Sequence, residues 1–432
     1  MKIKKKNYVR KPHNILIINI WKNCIFLILS ILFFSCSGPL KLNEFNLADE
    51  YNLDGLKYEM NCSFQSLNDS TSNLIIQINP NDLLFSKNDS GFYTAKYTIE
   101  YKIFNGYNNK KPLDTAQFHF DIRHHRKIKK KLHYLKLIAP IGNDYVVKIS
   151  LKDENRNQVT SKIITLRKKT FFDRSYFKIT PTKKDVENFT VFQKDSFSLT
   201  PPSNFLTSIK VMTFEYKSTC AANPYETEHS YRFPSIPDST WNVSGLRTYK
   251  FPPLKNGFYH FITDTLRKEG FSIFSVNQSF PNVNSIQQAN NSLGYLLEKS
   301  EYVDLLKDYN PKRAFEKKWL EISGSRSTAR NLIKTYYLEV SRANKLFTNI
   351  ELGWTTDRGM IYIIYGSPKI VYRNQNSEVW IYDEEQNLLN EEFEFEKIKT
   401  NLTDDLYELK RNTNFKINFN RMVKVWIDER GF

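Results

Sequence analysis

The sequence predicts a multidomain chain: an N-terminal β-sandwich of the immunoglobulin-like type, a second mostly-β domain, and a C-terminal α+β domain with helices packed on a small antiparallel meander. Three observations predict it. Alternating apolar runs recur at short spacing from Leu56 to Leu166; a less regular, proline-interrupted β pattern follows to about residue 280; and near Ser285 the apolar period changes from two to 3.6. At 432 residues the chain has room for two to four domains. Hydrophobic residues at 40% are compatible with well-packed cores, and many of the 25 Tyr and 32 Phe fall in alternating runs that favour strands.

The first 35 residues stand apart from that fold. Lys2, Lys4, Lys5, Lys6, Arg10 and Lys11 form a basic segment, an apolar run extends from about Ile25 to Phe34, and Phe33-Phe34-Ser35-Cys36 closes it, the layout of a signal peptide over 1–35. An apolar run, a small residue and then Cys resembles the lipobox of bacterial lipoproteins. That resemblance implies a lipidated Cys36 as the mature N-terminus and a membrane as partner, with the outer membrane facing the periplasm as the expected place. A transmembrane anchor is the alternative, but the run is short for a span of about 20 residues. Loss of the leader, which holds seven basic and no acidic residues, lowers the net charge from +17 to +10. The basic excess is densest at residues 123–131, RHHRKIKKK, with six Lys/Arg. Anionic lipid headgroups or an acidic partner are one reading of that segment; a solvated hairpin face is the favoured one. No nucleic-acid module accompanies it, so no nucleic-acid partner is expected.

Residues 36–55, opening on Cys36-Ser-Gly-Pro, have little periodicity and read as a tether. Residues 56–168 then carry strands at Leu74–Ile78, Phe92–Phe104, Gln117–Ile122, Leu132–Ile138, Tyr145–Leu151 and Val159–Leu166, separated by Asn/Gly/Asp turns. About seven strands in this length is an immunoglobulin-like count. In residues 173–280, Phe205–Tyr216, Gly257–Thr263 and Gly270–Val276 read as strands, with prolines marking loops or edges. Cys220–Tyr231 reads as a long exposed loop, a place where binding residues gather. Cys24 leaves with the leader, and Cys62 and Cys220 read as two unrelated buried thiols in different domains.

From 285 to 432 the pattern is helical and then mixed. Ile286, Ala289, Leu293, Leu296 and Leu297 share one helical face. Asn310-Pro311 is a helix start, with Asn as cap and Pro at the first position, and Ser323-Gly324 ends that helix. From Ser327 a longer helix carries Ala329, Leu332, Ile333, Tyr336, Tyr337, Val340, Ala343 and Leu346 or Phe347 on one stripe. Met360–Tyr365 is uncharged, β-branched and aromatic, and reads as a central strand buried on both faces; Thr355, Thr356, Asp357 and Gly359 form the turn that feeds it, with Gly359 free to take a positive φ. Glu378–Tyr382, Glu392–Ile398 and Tyr407–Lys410 supply further strands, and Phe419–Glu429 a terminal helix.

Gly353, Trp354, Thr356 and Asp357 match the G-W-x-T-D signature, and the segment resembles the GWxTD domain family of bacterial envelope proteins. Arg358, Gly359, Tyr362, Tyr365, Gly366 and Pro368 add to the likeness, as do Tyr336, Tyr337, Val340, Ala343, Asn344 and Phe347 upstream and Trp380, Tyr382 and Phe393-Glu394-Phe395 downstream. The chain departs from the family at Lys318-Trp319 and at Ile364. The resemblance implies an architecture over roughly the last quarter to third of the chain and an envelope compartment; it implies no catalytic residues.

Asp357 and Arg358 are the only adjacent pair in the signature suited to acid–base or electrostatic work. One Asp without a partnered His, a nucleophilic Ser or a second signature carboxylate falls short of a catalytic set, so a structural role for the pair is favoured. His124, His125 and His133 lack metal-ligand spacing, Ser367 lacks a nucleophile-elbow context, and phosphate-loop, dinucleotide and zinc-protease motifs are missing, so neither cofactor nor metal is expected. Two classes of function remain open: a lipid-anchored adapter that engages other envelope proteins, and an envelope enzyme or glycan- or peptide-binding lipoprotein with its site at Trp354–Arg358.

Overall fold

In the computed structural model the described residues are 41–55, 58–124, 128–181, 190–202, 208–216, 218–228, 236–244, 248–264, 269–382 and 390–429. The expected leader, Cys36 and His125 lie outside them. The fold is multidomain and mostly β, with several sheets and a C-terminal helical region.

The first unit holds β1 (Met60–Ser66), β2 (Thr71–Ile78), β3 (Ser86–Lys87), β4 (Tyr93–Phe104), β5 (Asp114–Arg123), β6 (Lys131–Ile138), β7 (Asn143–Asp153) and β8 (Gln158–Lys168). They make two antiparallel sheets, β1-β2-β6 and β3-β4-β7-β8, with β5 beside β4. Strict alternation builds the core between them: Leu74, Ile76 and Ile78 of β2 and Leu135 and Leu137 of β6 face Ile99, Tyr101, Val147 and Ile149 of the other sheet.

The second unit holds β9 (Lys178–Pro181), β10 (Thr190–Phe192), β11 (Phe197–Thr200), β12 (Ser208–Phe214), β13 (Ser239–Ser244), β14 (Tyr249–Phe251), β15 (Gly257–Asp264) and β16 (Glu269–Val276). Sheets β10-β16-β15-β12-β13 and β14-β11-β9 share a core rich in stacked rings, such as Phe197 on Phe251 and Phe261 on Phe271. β9, β10, β11, β13 and β14 fall outside the segments read as strands; three to six residues are too few to display a period. The described part of the expected exposed loop, 220–228, is exposed at 226–228 but docked ahead of that. Ala221 N donates to Tyr295 Oη (2.9 Å) and Asn412 N donates to Pro224 O (3.0 Å), so helical and C-terminal segments hold its backbone.

The C-terminal region runs α1 (Ile286–Ser292), α2 (Lys299–Lys307), α3 (Pro311–Ser323), α4 (Arg326–Phe347), α5 (Asp357–Tyr365), the meander β17 (Ile370–Arg373), β18 (Ser377–Tyr382), β19 (Glu391–Lys397) and β20 (Tyr407–Leu409), and α6 (Phe415–Glu429). Asn310 Oδ1 accepts from Arg313 N (3.1 Å) at the start of α3, and Gly324, at φ +68°, ends it as the sequence indicates.

Two further expectations are corrected. Met360–Tyr365 is the body of α5, a helix, and not a strand. Every residue of α5 is buried, so its apolar character runs all round the cylinder, and a short apolar run of that kind carries no period to distinguish helix from strand. The discriminating signal lies just upstream, where Thr356 caps the helix and Asp357 occupies its first turn. Gly359 is accordingly helical and takes no positive φ.

The described part of the expected tether is also folded. Leu42–Glu44 and Ala48–Glu50 form short helical turns, and Leu47 N donates to Val371 O (2.8 Å). Leu42, Leu47 and Tyr51, with Phe104, Val146 and Ile163 of the first unit, belong to the same apolar core as α4, α5 and the meander. The core centred on the signature therefore draws on the chain before residue 56 as well as after residue 285.

Cys62 and Cys220 are free thiols, and burial pushes each up to about 12.

Candidate functional site

α4 is the platform of the signature. Its stripe of Leu332, Tyr336, Val340, Ala343 and Phe347 is buried, and Asn344 on the same face is spent on backbone: its Oδ1 accepts from Trp354 N (3.2 Å) and its Nδ2 donates to Pro281 O (2.9 Å). The turn Gly353–Thr355 lies directly on this helix. A Cβ at residue 353 would sit 2.0 Å from Ala343 O, so only glycine lets the two backbones meet. Trp354 is 1% exposed, and its carbonyl accepts from Tyr295 Oη (2.7 Å).

Thr356 joins the turn to α5. Its hydroxyl donates to Gly353 O (2.8 Å) and accepts from Gly359 N (3.0 Å), a cap that ties turn and helix with one side chain. Gly359 repeats the close approach, because a Cβ there would lie 1.9 Å from Gly353 O. α4, the turn and α5 thus stack as three backbone layers in contact. At the far end Gly366, at φ +82°, stops the helix and accepts from Tyr382 Oη (2.9 Å), while Trp426 Nε1 donates to Ile363 O (3.1 Å). Tyr365 packs on Tyr382 and Phe393 and donates to Glu391 Oε2 (3.1 Å), and Pro368 leads into β17.

The polar pair points in two directions. Asp357 is 8% exposed; its Oδ2 accepts from Leu409 N (2.8 Å) and Arg411 Nη1 (3.0 Å), and its Oδ1 accepts from Arg411 Nη2 (2.6 Å). Arg411 also donates to Ala222 O (3.1 Å), so the pair ties α5 to β20 and to the docked loop of the second unit.

Arg358 enters an ionic chain that is buried except at Asp405, whose side chain is half exposed. Its guanidinium pairs with Asp405 (2.9 Å), lies over the Tyr407 ring (4.3 Å) and stands 3.9 Å from Glu378 Oε1. Glu378 is fully buried and accepts from Arg373 Nε (2.6 Å), Tyr51 Oη (2.7 Å) and Trp380 Nε1 (2.6 Å). Arg373 continues the chain to Glu50 (3.3 Å), whose other oxygen accepts from Ile163 N (2.7 Å). Burial pushes the Glu378 carboxyl upward, but the charges of Arg373 and Arg358 and the Tyr51 hydrogen bond outweigh it and hold the group at about 2. Burial likewise opposes the Arg358 charge, and Asp405 and Glu378 keep it above its ordinary range.

Gly353, Trp354, Thr356, Asp357, Arg358, Gly359, Tyr365, Gly366 and Pro368 therefore lie in or along one buried assembly. Residues that sequence reading passed over complete it: Arg411, Glu378, Arg373, Glu50, Tyr51 and Tyr295. Glu378 was detectable, since alternation along β18 sets it on the inward face with Trp380 and Tyr382, where a carboxylate needs a buried cation. Arg411 carried no comparable signal.

A cleft of about 210 Å³ opens beside this assembly, lined by Asn52, Asp54, Glu339, Arg342, Tyr362 and Ser367 among others. Arg342 bridges Glu339 (2.6 Å) and Asp54, so its charge is matched, and none of residues 353–358 reaches the cleft wall. His133, half-buried, sits 3.0 Å from Tyr97 Oη, and His124 lies exposed against Phe85. Among the described residues no three His, Cys, Asp or Glu converge as a metal site.

Fold and site together define a β-rich, multi-sheet protein whose C-terminal helical region is assembled on a buried signature turn. Residues 257–428 match the GWxTD domain. The match covers less than half of the chain, begins on β15 and ends within α6, so it extends further upstream than the signature resemblance. β15 and β16 account for part of that reach: Phe258 and Phe274 pack with Ile350, Leu402 and Leu406 around the signature assembly. No curated protein matches the chain.

Proposed function

We propose that the protein is a lipid-anchored bacterial envelope protein that works as a structural or interaction module, its immunoglobulin-like β-units presenting surfaces to other envelope proteins and its C-terminal domain holding the units in register. One observation supports this reading above others. Both polar residues of the signature are themselves buried and spent on other parts of the chain: Asp357 on Leu409 and Arg411, and Arg358 on the half-exposed Asp405, on Tyr407 and on the Glu378 chain. A group committed to several partners within the chain is poorly placed to meet substrate, and here the partners are drawn from β18, from β20 and from the segments on either side of β20, which is the arrangement of a joint. The anchor part of the reading rests on the leader and on Cys36.

Two measurements test it. Mass spectrometry of the mature N-terminal peptide is expected to find Cys36 at the first position carrying lipid; an unmodified Cys36, or a retained leader, overturns the anchor. Extraction in mild detergent followed by reciprocal tagging is expected to recover the same envelope partner at fixed stoichiometry from either end of the complex. Recovery of the chain alone, together with a sugar or peptide bound at Trp354–Arg358, overturns the adapter.

A further inference from the structure

β6 is the edge strand of the sheet β1-β2-β6, and its outward row is unlike the rest of that face. Alternation turns Leu135 and Leu137 into the core and leaves Leu132, Tyr134, Lys136 and Ile138 outside. Leu132 is 49% exposed, Tyr134 60% and Ile138 59%, and Ile75 lies opposite Tyr134 in register. Three large apolar side chains on one exposed strand form a patch that a solvated face does not need. Lys129, Lys130 and Lys131 are exposed where the strand begins, and Lys136 stands within the row. From Arg123 to Ile138 the sequence has no acidic residue. The outward positions of β2 and β1, Thr71, Asn73 and Gln77 on the one and Asn61, Ser63 and Gln65 on the other, are uncharged; two carboxylates stand at the margins, Glu59, shared by Lys130 (3.5 Å) and Lys345 (3.3 Å), and Asp114 of β5, whose Oδ2 accepts from Ile138 N (2.9 Å).

We propose that this face docks on an anionic phospholipid surface. It is a basic sheet face with apolar side chains projecting from it, and the charge is carried by lysine. Protein–protein interfaces deplete lysine and favour arginine, whereas a headgroup layer is met well by mobile ammonium groups whose stems lie along apolar surface. Tyrosine with an exposed ring suits the same boundary, where one end of the side chain is apolar and the other wet. A second attachment of this kind would add to a single lipid chain, which by itself holds a protein only reversibly. The proposal rests on the β6 face and stands whether or not Cys36 carries lipid.

The test is lysine acetylation of the full chain, read by peptide mass mapping, with vesicles of pure phosphatidylcholine or of phosphatidylcholine containing one-third phosphatidylglycerol. Labelling of Lys129, Lys131 and Lys136 is expected to fall about fivefold on the anionic vesicles alone, and to recover at molar salt, where the screening length shrinks to about 3 Å. Lys317 on α3, exposed and far along the chain, serves as reference and should label equally throughout. The triple variant Lys129→Glu, Lys131→Glu, Lys136→Glu should lose at least about fivefold in co-sedimentation with the anionic vesicles without shifting thermal melting, since all three side chains are exposed. Unchanged labelling on anionic vesicles, equal protection on pure phosphatidylcholine, protection of Lys317 to the same degree, or protection that requires an added acidic protein would each overturn the proposal.

Discussion

Gly359→Ala is expected to destabilise the C-terminal region by more than about 3 kcal/mol, although residue 359 is helical and alanine is the better helix former. Helix propensity alone predicts the opposite sign, a gain of about 1 kcal/mol. The difference comes from the backbone stack. The new methyl would lie 1.9 Å from Gly353 O and 2.9 Å from its carbonyl carbon, and neither atom belongs to a flexible side chain. Relief requires α5 to move off the turn, which breaks the Thr356 cap, yet the turn has no room to retreat because Gly353 already touches Ala343 O. Urea unfolding followed by tryptophan fluorescence reads the effect, since Trp319, Trp354, Trp380 and Trp426 are all buried in this region. A midpoint equal to or above that of the parent chain would contradict the stacked arrangement.

Glu378→Gln is expected to cost about 3–5 kcal/mol, the range for stripping one partner from a buried ion pair. The amide keeps an acceptor for Tyr51 and Trp380, so shape and most hydrogen bonds survive. What is lost is the charge that balances Arg373 and Arg358 in the interior. A pH signature separates this from simple misfit. The folded carboxyl is held at about 2, below the value of about 4.3 for an unfolded glutamate, so its stabilising contribution is complete above that unfolded value. The contribution then fades as pH falls through about 4 towards 2. The parent chain should therefore lose stability across that window more steeply than the Gln variant, whose curve is already low and flatter. Parallel curves would mean that Glu378 is not the ionised centre of the Glu50–Arg373–Glu378–Arg358–Asp405 chain.

Much of this architecture was legible in the sequence because local signals were strong. Strict alternation placed β2, β4, β6, β7 and β8, and Asn310-Pro311 with Gly324 bounded α3. The misreadings share one cause, tertiary burial overriding a local pattern. α5 looks like a strand because a helix buried on every side can be made of Ile, Tyr and Met without regard to face, and its only marks are Thr356 and Asp357 at one end. The segment 41–55 looks like a tether because its apolar residues, Leu42, Leu47 and Tyr51, are spaced for a surface that the rest of the chain builds and have no period of their own. Of the site, the residues on contiguous sequence were found and those brought in by the fold were not. Arg411 lies 54 positions from Asp357, and Tyr51 lies 327 from Glu378.

The central claim is that the signature is a structural joint, and the measurement nearest to it is unfolding of the full chain carrying Asp357→Ala. A carboxylate that only capped a turn would cost about 1–2 kcal/mol on removal. Here the substitution also leaves Arg411 buried without its bidentate partner, so the account predicts a loss of about 3–5 kcal/mol, read as a lowered urea midpoint of the tryptophan transition. Undiminished stability of that variant, accompanied by a lost phenotype in cells, would contradict the account and turn Asp357 into a residue kept for binding or chemistry.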